Sequence, residues 1–324
     1  MQKVKVSAVR KETPDIVSLD LRPVNGEMLP PAGPGSHVDV LIQGSASGKV
    51  QPMVRQYSLC QSPAETDLYR IGVKLEAASR GGSKWVHEQV RIGDIIEIGE
   101  VRNNFSPAKE AGFHCLIAGG IGITPMLSMA QHLSAEGGDF QLEYFARSIE
   151  HAAYAAVLQA SDFKDKVRFH LGLDVDQTRR AVGELVSAPP RNDAHLYVCG
   201  PAPFMGLVEA AASKNWLPST IHREFFGAAT GDVAADAGFT IRLARSGQEH
   251  HVASGHSIVQ VLERVGIPIE TSCRQGACGT CMVGLLEGNP DHRDSYLLPE
   301  EIAEGRCIIT CVSRSKSPVL VLDL

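Results

Sequence analysis

The chain has 324 residues, long enough for two or three domains with their own cores, and 44% hydrophobic against 21% charged residues is the balance of a folded globular protein, not a disordered one. A net charge of −6 with no long Lys/Arg run excludes a nucleic-acid footprint. Eight cysteines do not make a disulfide scaffold at this length, Met1 leads into Gln-Lys-Val-Lys with no apolar signal stretch, and no apolar run approaches a membrane span, so no membrane association and a cytoplasmic location are expected.

Residues 1–106 carry short alternating runs punctuated by Pro and Gly: Val4 to Val9, Val17 to Leu21, Val38 to Ile42, Tyr69 to Val73 and Ile95 to Ile98. This pattern predicts a small antiparallel β-barrel. Within it, Arg55-Gln56-Tyr57-Ser58 offers a guanidinium fork for a phosphate, a flat ring for stacking and a hydroxyl for a ring nitrogen. Ser79-Arg-Gly81-Gly82-Ser83 precedes Lys84-Trp-Val-His-Glu, a predicted helix start whose bare N–H groups point at an anion. Each segment alone reads as an ordinary strand or loop; together they describe a site for a planar aromatic nucleotide monophosphate, a flavin.

From 107 to 228 the pattern becomes buried strands alternating with helices: Cys115-Leu-Ile-Ala, a helix from Pro125, Gln141 to Phe145, a helix around His151 to Gln159, Val167 to His170, and His195 to Val198. That is the rhythm of a parallel α/β sheet. Ala118-Gly119-Gly120-Ile-Gly122-Ile-Thr124-Pro-Met126 sits between an apolar strand and a helix, where a pyrophosphate approaches bare backbone at a helix N-terminus. A glycine cluster alone is also consistent with a tight turn and no ligand. Cys199-Gly200-Pro201 supplies a second sharp turn, expected after the last strand of the sheet, so that two turns face one crevice with Cys199 placed against a nicotinamide ring. Arg147, in the turn after Gln141 to Phe145, reads either as a 2′-phosphate ligand or as a stacking or Glu150-paired side chain. Asp174 is placed to accept ribose hydroxyls and repel a phosphate, which favours NADH over NADPH.

A Gly, Ala and Asp-rich stretch, 229–237, reads as a linker, and residues 238–324 as a third domain. His250-His251 is expected in a solvated turn between two strands rather than as a metal pair. Cys273, Cys278, Cys281 and Cys311 are separated by four, two and twenty-nine residues. This is the plant-type spacing for a 2Fe-2S cluster, in which a tight loop gives three thiolates and a later strand the fourth. A structural zinc site or a disulfide pair is the alternative, against which zinc spacings come as two short Cys pairs. Cys307 reads as a buried strand residue, and no cysteine has the His two residues later that a Rieske centre needs. A nicotinamide gives up a two-electron hydride and a cluster accepts single electrons; a flavin joins the two.

Arg55-Gln-Tyr-Ser58, Gly119-Gly-Ile-Gly-Ile-Thr-Pro-Met126, Cys199-Gly-Pro201, His222-Arg-Glu-Phe-Phe-Gly227, the four cysteines, Asp291-His-Arg-Asp294 and Cys311-Val-Ser-Arg-Ser-Lys-Ser317 together resemble the phthalate dioxygenase reductase family, across essentially the whole chain. The resemblance implies an antiparallel flavin barrel, a parallel-sheet NAD domain and a C-terminal β-grasp ferredoxin domain, with FMN, NADH and a 2Fe-2S cluster as cofactors. It implies further that Arg55 and Ser83 hold the FMN phosphate, Tyr57 stacks on the isoalloxazine and Ser58 lies near its N5. Phe226 would shield the ring, Gly120, Gly122 and Thr124 would line the NADH path, and Cys199 would stand beside the hydride-donating carbon. Gln56 departs from the small hydroxyl residue expected in the phthalate enzyme. The implied acceptor is the Rieske centre of a separate oxygenase; a reductase feeding a cytochrome P450, or a redox-sensing module, are the other readings.

Overall fold

The computed structural model describes all residues except 25, 27, 44–52, 78–80, 227–236, 272, 273, 275, 277, 278, 295 and 298. The chain divides into two compact units, Met1–Glu224 and Phe225–Leu324.

The first unit opens with strands β1 (Gln2–Lys11), β2 (Ile16–Pro23), β3 (His37–Ile42), β4 (Met53–Ser58) and β5 (Tyr69–Lys74), helix α1 (Gly82–Gln89) and strand β6 (Ile95–Arg102). They pair antiparallel in the order β4-β3-β6-β1-β2-β5. A bridge between Leu59 and Ile71 brings the two edges together, so the sheet curls into a barrel. The period-two pattern puts Val4, Val6, Val38, Val40, Ile96 and Ile98 inside.

The second half of this unit runs β7 (Phe113–Gly119), a 3-10 turn (Gly120–Gly122), α2 (Ile123–Ala135), β8 (Phe140–Ala146), α3 (Ala155–Ala160), β9 (Val167–Leu171), α4 (Val175–Leu185), β10 (Ala194–Cys199), α5 (Ala202–Ala212) and β11 (Ile221–Glu224). All strands are parallel, in the order β11-β10-β7-β8-β9. Strand order reverses between β7 and β10, and such a switch point leaves a crevice beyond the strand carboxyl ends. β10 is buried at every position, as a central parallel strand must be. It is not the last strand: β11 follows and pairs beside it. The helix expected around His151 to Gln159 begins only at Ala155, because Tyr154 takes a left-handed φ of 60° and its hydroxyl reaches Cys60 of the barrel at 3.2 Å. Barrel residues Ile16, Cys60 and Phe105 share one core with Leu116, Met126 and Tyr144, which makes barrel and parallel sheet a single unit.

The second unit contains β12 (Phe239–Leu243), β13 (Glu249–Val252), α6 (Ile258–Arg264), β14 (Met282–Glu287), β15 (Pro290–Asp291), α7 (Pro299–Glu304), β16 (Cys307–Ile309), β17 (Arg314–Ser315) and β18 (Val319–Leu322). Its main sheet has the order β13-β12-β18-β14-β16, parallel only between β12 and β18, and the apolar face of α6 lies on it. Contrary to the expected turn, His250 and His251 are strand residues of β13, paired with Ile241 and Thr240. No helix among the described residues is long and apolar enough to cross a membrane.

Candidate cofactor and electron-transfer sites

The two glycine turns of the parallel sheet touch. A Cβ on Gly122 would overlap the carbonyl of Cys199, and one on Gly119 would lie 2.7 Å from the ring of Phe204, which follows the second turn. Gly120 adopts φ +54° and has open space above it, so backbone is presented bare to the crevice. Gly119, Gly120, Pro201 and Phe204 line a cleft of about 500 Å³ whose opposite wall is the barrel, through Asp15, Lys74 and Glu76. Its floor is Phe145, on which His170 stacks at 4.2 Å. A dinucleotide fits here on this structure's own terms: bare turns at a switch point, and a groove of suitable size.

Other residues expected around the dinucleotide are placed differently. Thr124 is buried; its hydroxyl donates to the Ile121 carbonyl at 3.0 Å, so it braces the turn. Asp174 is the N-cap of α4, its Oδ1 accepting the Gln177 N–H at 2.8 Å in a capping box. Arg147 lines the cleft but pairs with Asp15 of the barrel at 3.1 Å, while Glu150 accepts from Ser148.

On the barrel side, Arg55 lies against the N-terminus of α1, where a Cβ on Gly82 would stand 3.0 Å from Arg55 Cγ. Gly81, the N-cap, has φ 109°, a turn that only glycine takes readily. Guanidinium and helix start converge, as a phosphate site requires. Ser83 Oγ accepts the Glu76 N–H at 3.1 Å. Gln56 Nε2 is buried with no hydrogen-bond partner among the described residues, a donor that a bound flavin would satisfy. Burial pushes the Tyr57 phenol up to about 12, against the opposing charge of Arg55. Ser79 and Arg80 lie outside the described residues.

Ser58, at the end of β4, donates to Glu224 Oε2 at 3.1 Å. Glu224 ends β11 directly opposite Cys199 on β10, and His37 Nδ1 is 3.9 Å from its other oxygen. β11 is held in place by a 2.9 Å hydrogen bond between His222 Nε2 and His195 Nδ1. Burial pushes the Glu224 carboxyl up to about 8 despite the Ser58 bond, and drives the Cys199 thiol well above its ordinary value. Nothing local in the sequence marks Glu224, because its partner Ser58 is 166 positions away. Phe226 stands two residues beyond, in the second unit, 40% exposed.

In the second unit, Cys281 is buried and Cys311 partly buried, linked through Thr310, whose hydroxyl donates to the Cys281 carbonyl at 2.7 Å. Cys273 and Cys278 lie outside the described residues. Left-handed φ is taken at Gly276, between them, and at Gly279, just after Cys278, where a Cβ would meet Val312 at 2.6 Å and overlap the ring of Tyr296 respectively. Asp294 accepts N–H bonds from Tyr296 and Leu297 and the Ser313 hydroxyl, which fixes the wall behind this loop. The described thiols, Cys281 and Cys311, beside glycine-turned backbone fit part of an iron–sulfur ligand set. Cys307 sits on β16 opposite Gly284, in the small core with Cys311 and Tyr296.

Residues 241–316 match the model of a 2Fe-2S iron-sulfur cluster binding domain, and 116–210 that of an oxidoreductase NAD-binding domain. The chain is 43% identical to a vanillate O-demethylase oxidoreductase of Pseudomonas sp. (strain HR199 / DSM 7063), covering 100% of both. Among solved structures it is similar to phthalate dioxygenase reductase, described as a modular structure for electron transfer from pyridine nucleotides to [2Fe-2S], with 35% identity, a TM-score of 0.71, and 99% of this chain and 97% of that one covered. It is also similar, at 32% identity and TM-score 0.82, to 41% of an intact type IV self-sufficient cytochrome P450 monooxygenase, with 100% of this chain covered. Likeness of this level along the whole length shows that the chain belongs to the phthalate dioxygenase reductase family, oxidoreductases of oxygenase systems that join a flavin barrel, an NAD-binding domain and a 2Fe-2S domain in one polypeptide.

Proposed function

We propose that this protein is the NADH-dependent reductase of a two-component oxygenase, cytoplasmic, delivering electrons to the Rieske centre of a separate terminal oxygenase. The observation that carries this reading is the junction at Glu224: one carboxyl opposite Cys199 of the parallel sheet and bonded to Ser58 of the barrel, where the two cofactor domains share a core. Residues 1–106 form the flavin domain, 107–228 the NAD domain and 238–324 the cluster domain, with 229–237 as linker. FMN, NADH and a 2Fe-2S cluster are its cofactors, and the FMN accepts a hydride and gives electrons up singly. A cytoplasmic setting keeps the ligand thiols Cys273, Cys278, Cys281 and Cys311 reduced for the iron.

Each residue then has a task that its surroundings allow. Arg55, Gly81, Gly82 and Ser83 bind the flavin phosphate, Tyr57 and Gln56 contact the flavin, and Phe226 covers its exposed side. Gly119, Gly120, Gly122, Gly200 and Pro201 give the dinucleotide a bare-backbone seat, with Cys199 beside its reactive end. Glu224, held near 8, keeps a proton on its carboxyl at neutral pH while its Oε2 accepts from Ser58 Oγ, so a proton is at hand where the hydride is transferred.

Anaerobic titration tests this reading. Excess NADH should bleach the flavin absorbance of the purified chain, and steady-state NADH should reduce cytochrome c. The released flavin should chromatograph as FMN, and Arg55→Ala should lower its occupancy about tenfold by removing a charge-assisted partner. Absence of bleaching, or an FAD peak, refutes the assignment. NADH-supported turnover of a Rieske oxygenase is the expected coupling; turnover only with a cytochrome P450 would move the acceptor to the second reading, which the likeness to the self-sufficient P450 favours.

A further inference from the structure

We propose that Asp15 of the barrel determines coenzyme choice by masking Arg147, a cation at the adenosine-ribose end of the cleft that would otherwise welcome a 2′-phosphate. The proposal rests on the reading of the cleft as a pyridine-nucleotide site. In a parallel sheet of this order, the carboxyl end of the strand next to the glycine turn is where the adenosine ribose lies, and an Arg there accommodates a 2′-phosphate. Arg147 occupies that place directly after β8, and on its own it would mark an NADPH enzyme.

The barrel changes its meaning. Arg147 Nη2 pairs with Asp15 Oδ2 at 3.1 Å, and both residues line the cleft. Asp15 is held from three sides in the loop between β1 and β2. Its Oδ1 accepts the Thr13 hydroxyl at 2.8 Å, its carbonyl accepts the Leu75 N–H at 2.7 Å, and its own N–H donates back to Thr13 Oγ1 at 3.3 Å. The Arg147 side chain is 72% exposed and long, so it is the mobile partner; Asp15, 27% exposed, is the fixed one. Among the described residues, the other ionisable side chains around this part of the cleft have nearby partners. Lys74 pairs with Glu76 at 3.2 Å, Ser148 Oγ bonds His151 Nδ1 at 2.9 Å, and His170 bonds the buried Glu143 at 2.6 Å. A 2′-phosphate arriving beside Arg147 therefore meets a neutralised guanidinium and a fixed carboxylate. A bare 2′-hydroxyl meets an acceptor and no repulsion. Asp15 is a specificity-determining residue that sits on a different domain from the coenzyme fold.

The test is the ratio of kcat/KM for NADPH to that for NADH in the FMN-loaded, cluster-containing chain, with cytochrome c as acceptor. Asp15→Asn keeps the Thr13 hydrogen bond and removes the charge; it should raise the ratio about tenfold, with the gain weakening as salt is added. Asp15→Ser asks the same question should the amide be poorly tolerated. Adding Arg147→Ala to Asp15→Asn should abolish the gain. A ratio within twofold of wild type in both Asp15 variants, or a gain that survives removal of Arg147, overturns the assignment while leaving the reductase reading intact. A wild-type chain that oxidises neither coenzyme refutes the reductase reading and this assignment with it.

Discussion

Replacing Glu224 by Gln should flatten the pH dependence of the first unit's stability. Burial holds the native carboxyl at about 8, against 4.5 for an unperturbed one. Below pH 4.5 the group is protonated in both folded and unfolded chains and contributes no pH dependence. Between 4.5 and about 8 the unfolded chain ionises while the native carboxyl keeps its proton, so native stability falls as pH rises, and above 8 the loss is complete. At about 1.4 kcal/mol per pH unit, the step from pH 5.5 to 8.5 should cost the wild type about 3 kcal/mol that Glu224→Gln, neutral throughout, does not lose. Urea unfolding followed by tryptophan fluorescence reads the correct region, because the chain's two tryptophans, Trp85 and Trp216, both lie in the first unit. The same variant should slow NADH-dependent cytochrome c reduction at least tenfold, since an amide keeps the Ser58 contact but carries no transferable proton. Parallel stability curves for wild type and Glu224→Gln would show that the carboxyl is not desolvated, and the role given to its proton would fall with that.

Two further outcomes follow from the packing. Cys281→Ser and Cys311→Ser should each remove the cluster's visible absorbance while NADH still bleaches the flavin, and Cys307→Ser should keep the cluster; loss of absorbance in the Cys307 variant with retention in the Cys311 variant would reverse the ligand assignment. Gly122→Ala should lower stability by about 1–3 kcal/mol and raise KM for NADH, because its methyl would overlap the Cys199 carbonyl and lie 2.8 Å from the Gly200 nitrogen; an unchanged KM would mean that the two turns do not form one seat.

Much of this architecture was legible because its signals are local. The alternating runs from Val4 to Ile98 and the buried runs around Cys115 and His195 need only a strand period to be read, and the cysteine spacing needs only a loop. Most of what escaped the sequence depends on long-range partners, Asp174 excepted. The helix near His151 starts late because Tyr154 is drawn into a left-handed turn beside Cys60, which follows strand β4 of the barrel. Asp174 carries the S/T/D-x-x-E/Q capping pattern with Gln177, a local signal that identifies it as a helix cap before any ribose contact. His250 and His251 lack the apolar alternation that marks a strand, yet edge position beside β12 makes them one. Glu224 and Asp15 had no local signal at all: each acquires its meaning from a residue more than a hundred positions away.

That pattern has a chemical reason. A hydride site has to bring a donor and an acceptor from two domains within contact, so the residues that govern it are those on which both domains converge. In the proposed reading these are Glu224 with Ser58, where barrel and parallel sheet meet, and Arg147 with Asp15 at the cleft. A cluster needs no second domain, since the candidate ligands lie in one loop and, for Cys311, in the turn after β16 rather than on the expected strand, and their spacing is readable in a single segment. The His222-Arg-Glu-Phe-Phe-Gly227 segment spans the division between the two units: it places Glu224 at the end of the first and Phe226 at the start of the second. Substitutions there should therefore affect flavin reduction before they affect the cluster, because the last residue of the segment's strand belongs to the proposed hydride junction and the cluster ligands begin some way further along the chain.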